Sequence, residues 1–124
     1  MRVHRLAVVD KVSGVAKATV DVDVAQTPAE RERGLTGTHW LPADRGMLFL
    51  FPATAAWPFW MKGVSIPLGL VFLNKANEVI GTRVMKANDA TIVRPPVPVR
   101  SAIEVSERFL HVHVRVGDRF MLVR

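Results

Sequence analysis

Short apolar or alternating runs, separated by turn residues at regular intervals, make up most of the chain. Within KATVDVDVA, the valines from Val20 to Val24 alternate with aspartates, which predicts a strand with one buried and one solvated face. The run GMLFLF is apolar on both faces and predicts a central strand. We therefore predict a mainly β fold, an antiparallel, jelly-roll-like β-sandwich or barrel of eight or nine strands.

Two hairpins are predicted from runs that flank turn residues. LGLVFL and EVIGTRVM flank NKAN, whose asparagines suit a short hairpin loop. HVHVRV and RFMLVR flank Gly117 and Asp118, which predicts a second hairpin at the C-terminal end. The segment ANDATIVRPPVPVRS lacks periodicity and is rich in proline, so it should form a long, stiff surface loop.

One short helix is predicted near residues 28–34, within TPAERERGL. Thr27 can serve as the N-cap, Pro28 suits the first helical position, and Glu30 can complete a capping box. Gly34 then supplies the left-handed stop. Such a short helix depends on tertiary contacts for its stability.

The length of 124 residues predicts a single domain, residues 1–124, with an adequate hydrophobic core. The absence of cysteine excludes a disulfide framework, a thiolate zinc site and a cysteine nucleophile. No apolar run approaches the length of a membrane span. The predicted core consists of Val22, Leu35, Met47, Phe49, Phe51, Phe59, Leu70, Phe72, Val79, Ile103, Val114 and Phe120.

The charge is modestly basic and unevenly spread. Of the net charge of +6, residues 83–124 carry +4, with eight basic and four acidic side chains. This bias favours weak attraction to polyanions, but proteins that stack nucleic-acid bases show several aromatics on one strand face, which is not seen here. The charges in the N-terminal segment MRVHRLAVVDK interrupt the apolar stretch that a signal peptide needs, so we do not expect it to be one. We expect a soluble monomer or weak dimer, cytoplasmic as written, or exported if a leader has been removed.

No pattern identifies a catalytic or metal site. His111 and His113 would share one face of a strand, but a third ligand is lacking and Arg115 continues that face. Asp21 and Asp23 form the solvated side of their strand rather than an acid–base pair. No serine lies in a nucleophile elbow and no glycine-rich phosphate loop is present. We therefore predict no metal and no cofactor, and an enzyme is not the favoured hypothesis.

The segment WPFWMKG concentrates aromatic side chains around one lysine. In an extended chain, Phe59 and Met61 project to one side and should be buried. Trp60 and Lys62 project to the other side, which should be solvated because burying an ammonium group is costly. Trp60 beside Lys62 would then form a small binding platform. Alternatively, Trp60 lies flat under a loop, covered by the stem of Lys62.

Glu104, in AIEV, places a carboxylate on an otherwise apolar strand. Either a backbone amide or an arginine satisfies it, or it serves as a functional group. The favoured hypothesis is a non-catalytic binding module for a small ligand, a glycan or a peptide segment. The alternative is an enzyme or accessory domain that uses carboxylates such as Glu104. The predicted ligand-binding residues are Trp60, Lys62, Gly63, Gly69 and Glu104.

Several pieces of the sequence occur in an order that resembles a known family. They are TPAERERGL, DRGMLFLF, FWMKGVSIPLGLVFL, EVIG, AIEV and VGD. The chain thereby resembles the domain of unknown function 192 family, small β-rich proteins of bacteria and archaea, many of which look exported. The resemblance implies a compact β-sandwich or barrel with a short helix after the second strand, and it implies no function.

The chain departs from the family pattern around the predicted site. The family usually has Asn-Thr after the lysine, where this chain has Gly63 and Val64, and an aspartate where it has Gly69. The usual methionine after Gly-Leu is Thr36, and SERFLHVHVR replaces a glycine-bearing piece. Polar groups that could converge beside Trp60 are therefore missing, which implies that this member binds a different ligand or binds weakly.

Overall fold

The computed structural model describes residues 3–124, which form seven strands and two short helices around one sheet. No helix within this range is long and apolar enough to cross a membrane. In chain order, the elements are β1 (Val3–Val9), β2 (Ala16–Ala25), α1 (Pro28–Arg33), β3 (Arg45–Ala55), β4 (Leu68–Leu73), β5 (Val79–Met85), β6 (Val99–Ser106), α2 (Glu107–His113) and β7 (Arg119–Leu122).

The strands form one mixed sheet in the order β5-β4-β6-β3-β2-β1-β7. All neighbours are antiparallel except β2 and β3, which pair in parallel. Parallel neighbours need a long crossover, and the connection that contains α1 provides it. The sheet is not closed into a barrel, although Glu78 and Arg119 form one isolated bridge where its two edges approach. The mainly β class is thus confirmed, whereas the eight or nine strands of an antiparallel sandwich or barrel are not found in the described chain.

Both faces of the sheet carry a hydrophobic core. The inner face is the one that carries Val79 and Phe120. One hydrophobic cluster lies on this face and is covered by α2. The outer face packs a second cluster beneath the irregular segment 56–67. All predicted core residues are buried except Leu35, which is partly buried against the outer cluster. This agreement follows because strand alternation fixes which side chains point inward.

The predicted C-terminal hairpin is wrong. Residues 107–113 form α2, so His111 and His113 lie on a helix and not on one face of a strand. Ser106 caps this helix by accepting a hydrogen bond from the backbone N–H of Phe109 at 3.0 Å. Phe109 and Leu110 are buried against the sheet. Burial of these two side chains therefore overrides the local alternation of HVHV.

Other local predictions are confirmed. α1 has the capping box, in which the Thr27 hydroxyl accepts from Glu30 N–H and the Glu30 carboxylate accepts from Thr27 N–H, both at 3.1 Å. β4 and β5 form the predicted hairpin, and Asn77 in its loop adopts a left-handed conformation with φ of 62°. The proline-rich segment that precedes β6 is largely irregular. These features depend on residues close in sequence, which is why local patterns predicted them.

Candidate functional site

The most unusual side chain of the described residues is Glu104, a buried acid on the outer face of the sheet. β6 lies between β3 and β4, and Glu104 is paired with Met47 on one side and Leu70 on the other. Only 4% of Glu104 is exposed. Burial raises the pKa of its carboxyl group from the ordinary value of 4.5 to about 8. The group is therefore mostly uncharged at neutral pH.

No side chain of residues 3–124 forms an ion pair with Glu104, and burial alone accounts for its raised pKa. Every fully enclosed side-chain oxygen or nitrogen in the described chain has a hydrogen-bond partner. Because the Glu104 carboxyl group has none, at least one of its oxygens must retain some access to solvent. Glu104 lines a cavity, and this cavity supplies that access.

The cavity lies between the end of α1 and segment 58–64. Its volume is about 50 Å³, comparable with the space taken by one or two water molecules. Phe49 and Phe51 of β3, with Phe59 and Trp60 of segment 58–64, give it one aromatic wall, and the end of α1 gives it a more polar one. The cavity can admit the end of a ligand, but a drug-sized molecule needs several hundred Å³.

Contacts between aromatic rings hold the aromatic wall in place. Phe59 packs edge-to-face against Phe49, with ring centroids 5.7 Å apart, and against Phe51, with centroids 5.9 Å apart. Phe51 stacks on Trp57 at 4.6 Å. Such pairs contribute beyond the area they bury, so this wall is a preorganised surface.

Arg31 lines the cavity but is committed to other partners. Its Nη1 donates to the backbone carbonyls of Gln26 and Leu50, at 2.7 and 3.0 Å. Its guanidinium group lies 5.5 Å from the ring centroid of Phe51 and 5.9 Å from that of Trp57. Arg31 thus ties α1 to β3 and leaves Glu104 without a cation. The other charged residues that line the cavity are Glu32 and Arg33, both exposed.

The structure brings Trp60 and Glu104 to the same cavity, although they are distant in sequence. Phe59 and Met61 are 5% and 1% exposed, which confirms the predicted alternation. Trp60 is half-buried and Lys62 is exposed. Lys62 does not line the cavity, so the basic part of the predicted groove lies outside it.

The two predicted glycines lie elsewhere. Gly63 has a left-handed φ of 77°, and its carbonyl accepts a hydrogen bond from Gly37 N–H at 2.8 Å. It fixes the turn after Trp60 but does not line the cavity. Gly69 is buried against Leu110 of α2, on the opposite face of the sheet from Glu104. Gly69 therefore does not lie on the Glu104 side of the sheet, because successive residues of β4 alternate between the two faces.

Sequence reasoning missed the role of Phe49 and Phe51, which it assigned to the core alone. They lie on the same face as Glu104 because β3 pairs with β6 so that Met47 is opposite Glu104. The available signal was their spacing of two and four residues from Met47 along one strand. Without the register between β3 and β6, that spacing could not connect them to Glu104.

A larger cavity of about 530 Å³ opens on the inner side of the sheet. Its walls are mainly apolar and include Leu48, Leu73 and Phe120. The acid at its rim, Glu30, already accepts hydrogen bonds from two backbone N–H groups in the α1 cap. No ionisable side chain that lines this cavity is buried as Glu104 is, so the smaller cavity is the candidate site.

Comparisons with known proteins agree with the fold. A family model described as Uncharacterized ACR, domain of unknown function 192, matches residues 8–122. The chain is similar to a protein of Sinorhizobium meliloti 1021 described as a candidate transcription regulator, with a TM-score of 0.91, 25% identity, and coverage of 98% of this chain and 94% of that one.

The chain is also similar to a protein of unknown function from Novosphingobium aromaticivorans DSM 12444. The TM-score is 0.86 at 23% identity, covering 96% of this chain and 84% of that one, a likeness that shows the fold alone. No curated protein matches the chain.

Proposed function

The chain belongs to the domain of unknown function 192 family, and we propose that it is a non-catalytic binding module. Its cavity holds one small polar group of a ligand on the carboxyl group of Glu104. The observation that carries this proposal is the buried carboxyl group, which has no partner in the described chain and opens onto the cavity. Solvent that reaches this carboxyl group through the cavity can hydrogen-bond to it, and a ligand that supplies the same bond and also contacts the aromatic wall can take the place of that solvent.

The surroundings of Glu104 support binding rather than a purely structural role. A structural acid is normally satisfied by neighbours, as Asp118 is: it accepts hydrogen bonds from Lys17 Nζ at 2.5 Å and from the backbone N–H of Arg115 at 2.9 Å. Arg31 could have neutralised Glu104, but its guanidinium group is held by carbonyl oxygens and aromatic rings. The acid therefore remains available to a ligand.

Trp60 defines how a larger ligand would rest on the site. The cavity admits only a terminal group, so the remainder of a ligand must lie on the surface around its mouth. Half-buried Trp60 offers a flat apolar surface there, and exposed Lys62 lies two residues further along the chain. A small molecule, a glycan substituent or a peptide side chain could bind in this way. Lys62 would then contact only the part of the ligand that lies outside the cavity.

Titration with three probes of similar size tests the proposal. Acetamide, acetate and methylammonium are added to ¹⁵N-labelled protein, and chemical shifts are followed at the Trp60 indole N–H and at the amides of residues 34–36. We expect saturable shifts from at least one probe, with a Kd in the millimolar range, about −4 kcal/mol. If none of the three produces saturable shifts at these positions, the proposal is wrong.

Variants locate the binding. Glu104→Leu removes the carboxyl group at nearly constant volume and should abolish the shifts at Trp60. Lys75→Ala removes an exposed lysine in the β4–β5 loop and should leave them unchanged. Because Glu104→Leu could disturb packing, its spectrum must first show the native dispersion; Glu104→Met, which also lacks a hydrogen-bonding group, is the second variant if it does not. Undiminished binding by a folded Glu104→Leu protein would contradict the proposal.

Acid–base catalysis is the second candidate, and the raised pKa of Glu104 favours it. A carboxyl group in an apolar pocket, protonated near neutral pH, is a recognised form of general acid. The described cavity offers only exposed Glu32 as a second carboxylate. The amide of Glu104→Gln can still form hydrogen bonds but cannot transfer a proton, so a catalyst would lose turnover in this variant while a binding module would still take up its ligand.

A further inference from the structure

We infer that the ligand group held by Glu104 is an uncharged carbonyl oxygen, as in an amide or an N-acetyl substituent, and that Glu104 binds it as an O–H donor. This inference rests on the proposed function and specifies its ligand class.

Each element around Glu104 disfavours its ionised form or leaves it unchanged. β3 and β4 place Met47 and Leu70 beside it, and both are apolar. Segment 58–64 contributes Pro58, Phe59, Trp60 and Val64 to the cavity, none of which is charged. The charged groups come only from α1: Arg31 and Arg33 favour the ionised form and Glu32 opposes it, and none of the three contributes to the shifted pKa of Glu104. A protonated carboxyl group is therefore the resting state, and it offers one hydrogen-bond donor to the cavity.

A carbonyl oxygen matches this donor without any change in charge. Its hydrogen bond satisfies the carboxyl O–H, and its small apolar substituent can contact Phe49, Phe51 and Phe59, which line the same cavity. Neither partner has to lose the hydration of an ion. The arrangement thus avoids the large desolvation cost that a charged ligand would meet among aromatic side chains.

The two charged alternatives each meet a specific obstacle. An ammonium group would require Glu104 to release its proton, and it would approach Arg31, whose guanidinium group already lies over Phe51 and Trp57. A carboxylate would bring an ion against the aromatic wall of the cavity, where the Nη1 of Arg31 already donates to two carbonyls. The net charge of +6 also opposes a cationic ligand at long range.

The inference predicts a definite pH dependence. Only the protonated form of Glu104 donates, so acetamide affinity should be constant well below the pKa of about 8. Above this pKa, the affinity should fall tenfold for each pH unit as the proton is lost. An ammonium ligand would show the opposite sign, because its affinity rises with pH until Glu104 is fully ionised.

The experiment measures the Kd of acetamide, acetate and methylammonium by NMR from about pH 6 to about pH 9.5. We expect acetamide to bind most tightly at low pH and to weaken in the alkaline range. In Glu104→Gln, whose amide is a donor at every pH, the acetamide affinity should no longer change with pH. Exposed Lys75→Ala serves as the control and should keep the wild-type profile.

The outcomes separate this inference from the proposed function. Tighter binding of methylammonium, with affinity that rises with pH, would overturn the carbonyl assignment but preserve a binding site at Glu104. Tighter binding of acetate would do the same. Acetamide binding with a flat pH profile in the wild-type protein would overturn the role of Glu104 as the donor. Absence of binding by all three probes would overturn the proposed function itself.

Discussion

Two buried acids show how neighbouring groups decide the chemistry of a residue. At Asp118, burial raises the pKa, but the hydrogen bonds from Lys17 and from the N–H groups of Arg115 and Lys11 outweigh burial and lower it. At Glu104, no such donors are present in the described chain, and burial raises the pKa to about 8. Asp118 is therefore a structural carboxylate, whereas Glu104 is a neutral acid that is available to a ligand.

The raised pKa predicts that Glu104 makes stability depend on pH. The folded protein retains the Glu104 proton up to about pH 8, whereas the unfolded chain releases it near the ordinary value of 4.5. Between these values the folded state binds the extra proton, so the free energy of unfolding should fall as pH rises, by about 1.4 kcal/mol per pH unit. Above the folded pKa this stabilisation is lost.

Urea unfolding of the wild-type protein and of Glu104→Gln at a series of pH values measures this effect. The difference between the two free energies of unfolding isolates Glu104, since the other groups titrate alike in both proteins. Two curves that run parallel across this pH range would show that Glu104 is ionised in the folded state.

Neighbouring substitutions in segment 58–64 should have sharply different effects. Phe59→Ala removes a buried ring that contacts Phe49 and Phe51, and should lower the free energy of unfolding by about 3–5 kcal/mol. Lys62→Ala changes an exposed side chain and should stay within about 0.5 kcal/mol. Trp60→Ala should lie between them and should weaken probe binding. A loss for Trp60→Ala as large as that for Phe59→Ala would make Trp60 a core residue instead.

At the scale of elements, the two short helices, both capped, are fixed by different interactions. α1 has six residues and α2 has seven, too short for either to be stable alone. The capping box of α1 is formed by residues that are close together in the sequence. The position of α2 depends on a distant contact, because a Cβ added to Gly69 would lie 2.6 Å from the Cβ of Leu110. Gly69 therefore allows α2 to approach β4.

This close approach predicts that Gly69→Ala displaces α2. Overpacking of this kind should lower the free energy of unfolding by about 1–3 kcal/mol. Gly81→Ala, in adjacent β5, is the matched control, because its added Cβ would meet Phe72 Cδ2 at an ordinary 3.4 Å. Gly81→Ala should be neutral or slightly stabilising in thermal unfolding. Equal losses for the two variants would show that α2 does not pack closely on Gly69.

At the scale of the whole molecule, the net charge of +6 predicts weak attraction to polyanions. Binding to duplex DNA, measured by fluorescence anisotropy, should be independent of sequence and should weaken steeply between low and physiological salt. Nanomolar affinity that persisted above physiological salt would show that the basic surface is a specific nucleic-acid site.

The sequence by itself determined the features that depend on neighbouring residues. The capping box at Thr27, the β4–β5 hairpin and the burial of Phe59 and Met61 all follow from local hydrogen bonding or from strand alternation. Such features need no knowledge of distant partners, so the sequence also predicted the exposure of Lys62 and most of the core.

Tertiary structure alone decided how these pieces combine. The parallel pairing of β2 with β3 and the helical state of HVHV depend on packing between distant segments. The sequence marked Trp60 and Glu104 separately, but only the register that places Met47 opposite Glu104 brings the aromatic wall of β3 to the acid. Side-chain alternation has a period of two, so a shift of one residue in that register would turn Phe49 and Phe51 away from Glu104. Local sequence cannot fix this choice, because it depends on the pairing of strands that are far apart in the chain.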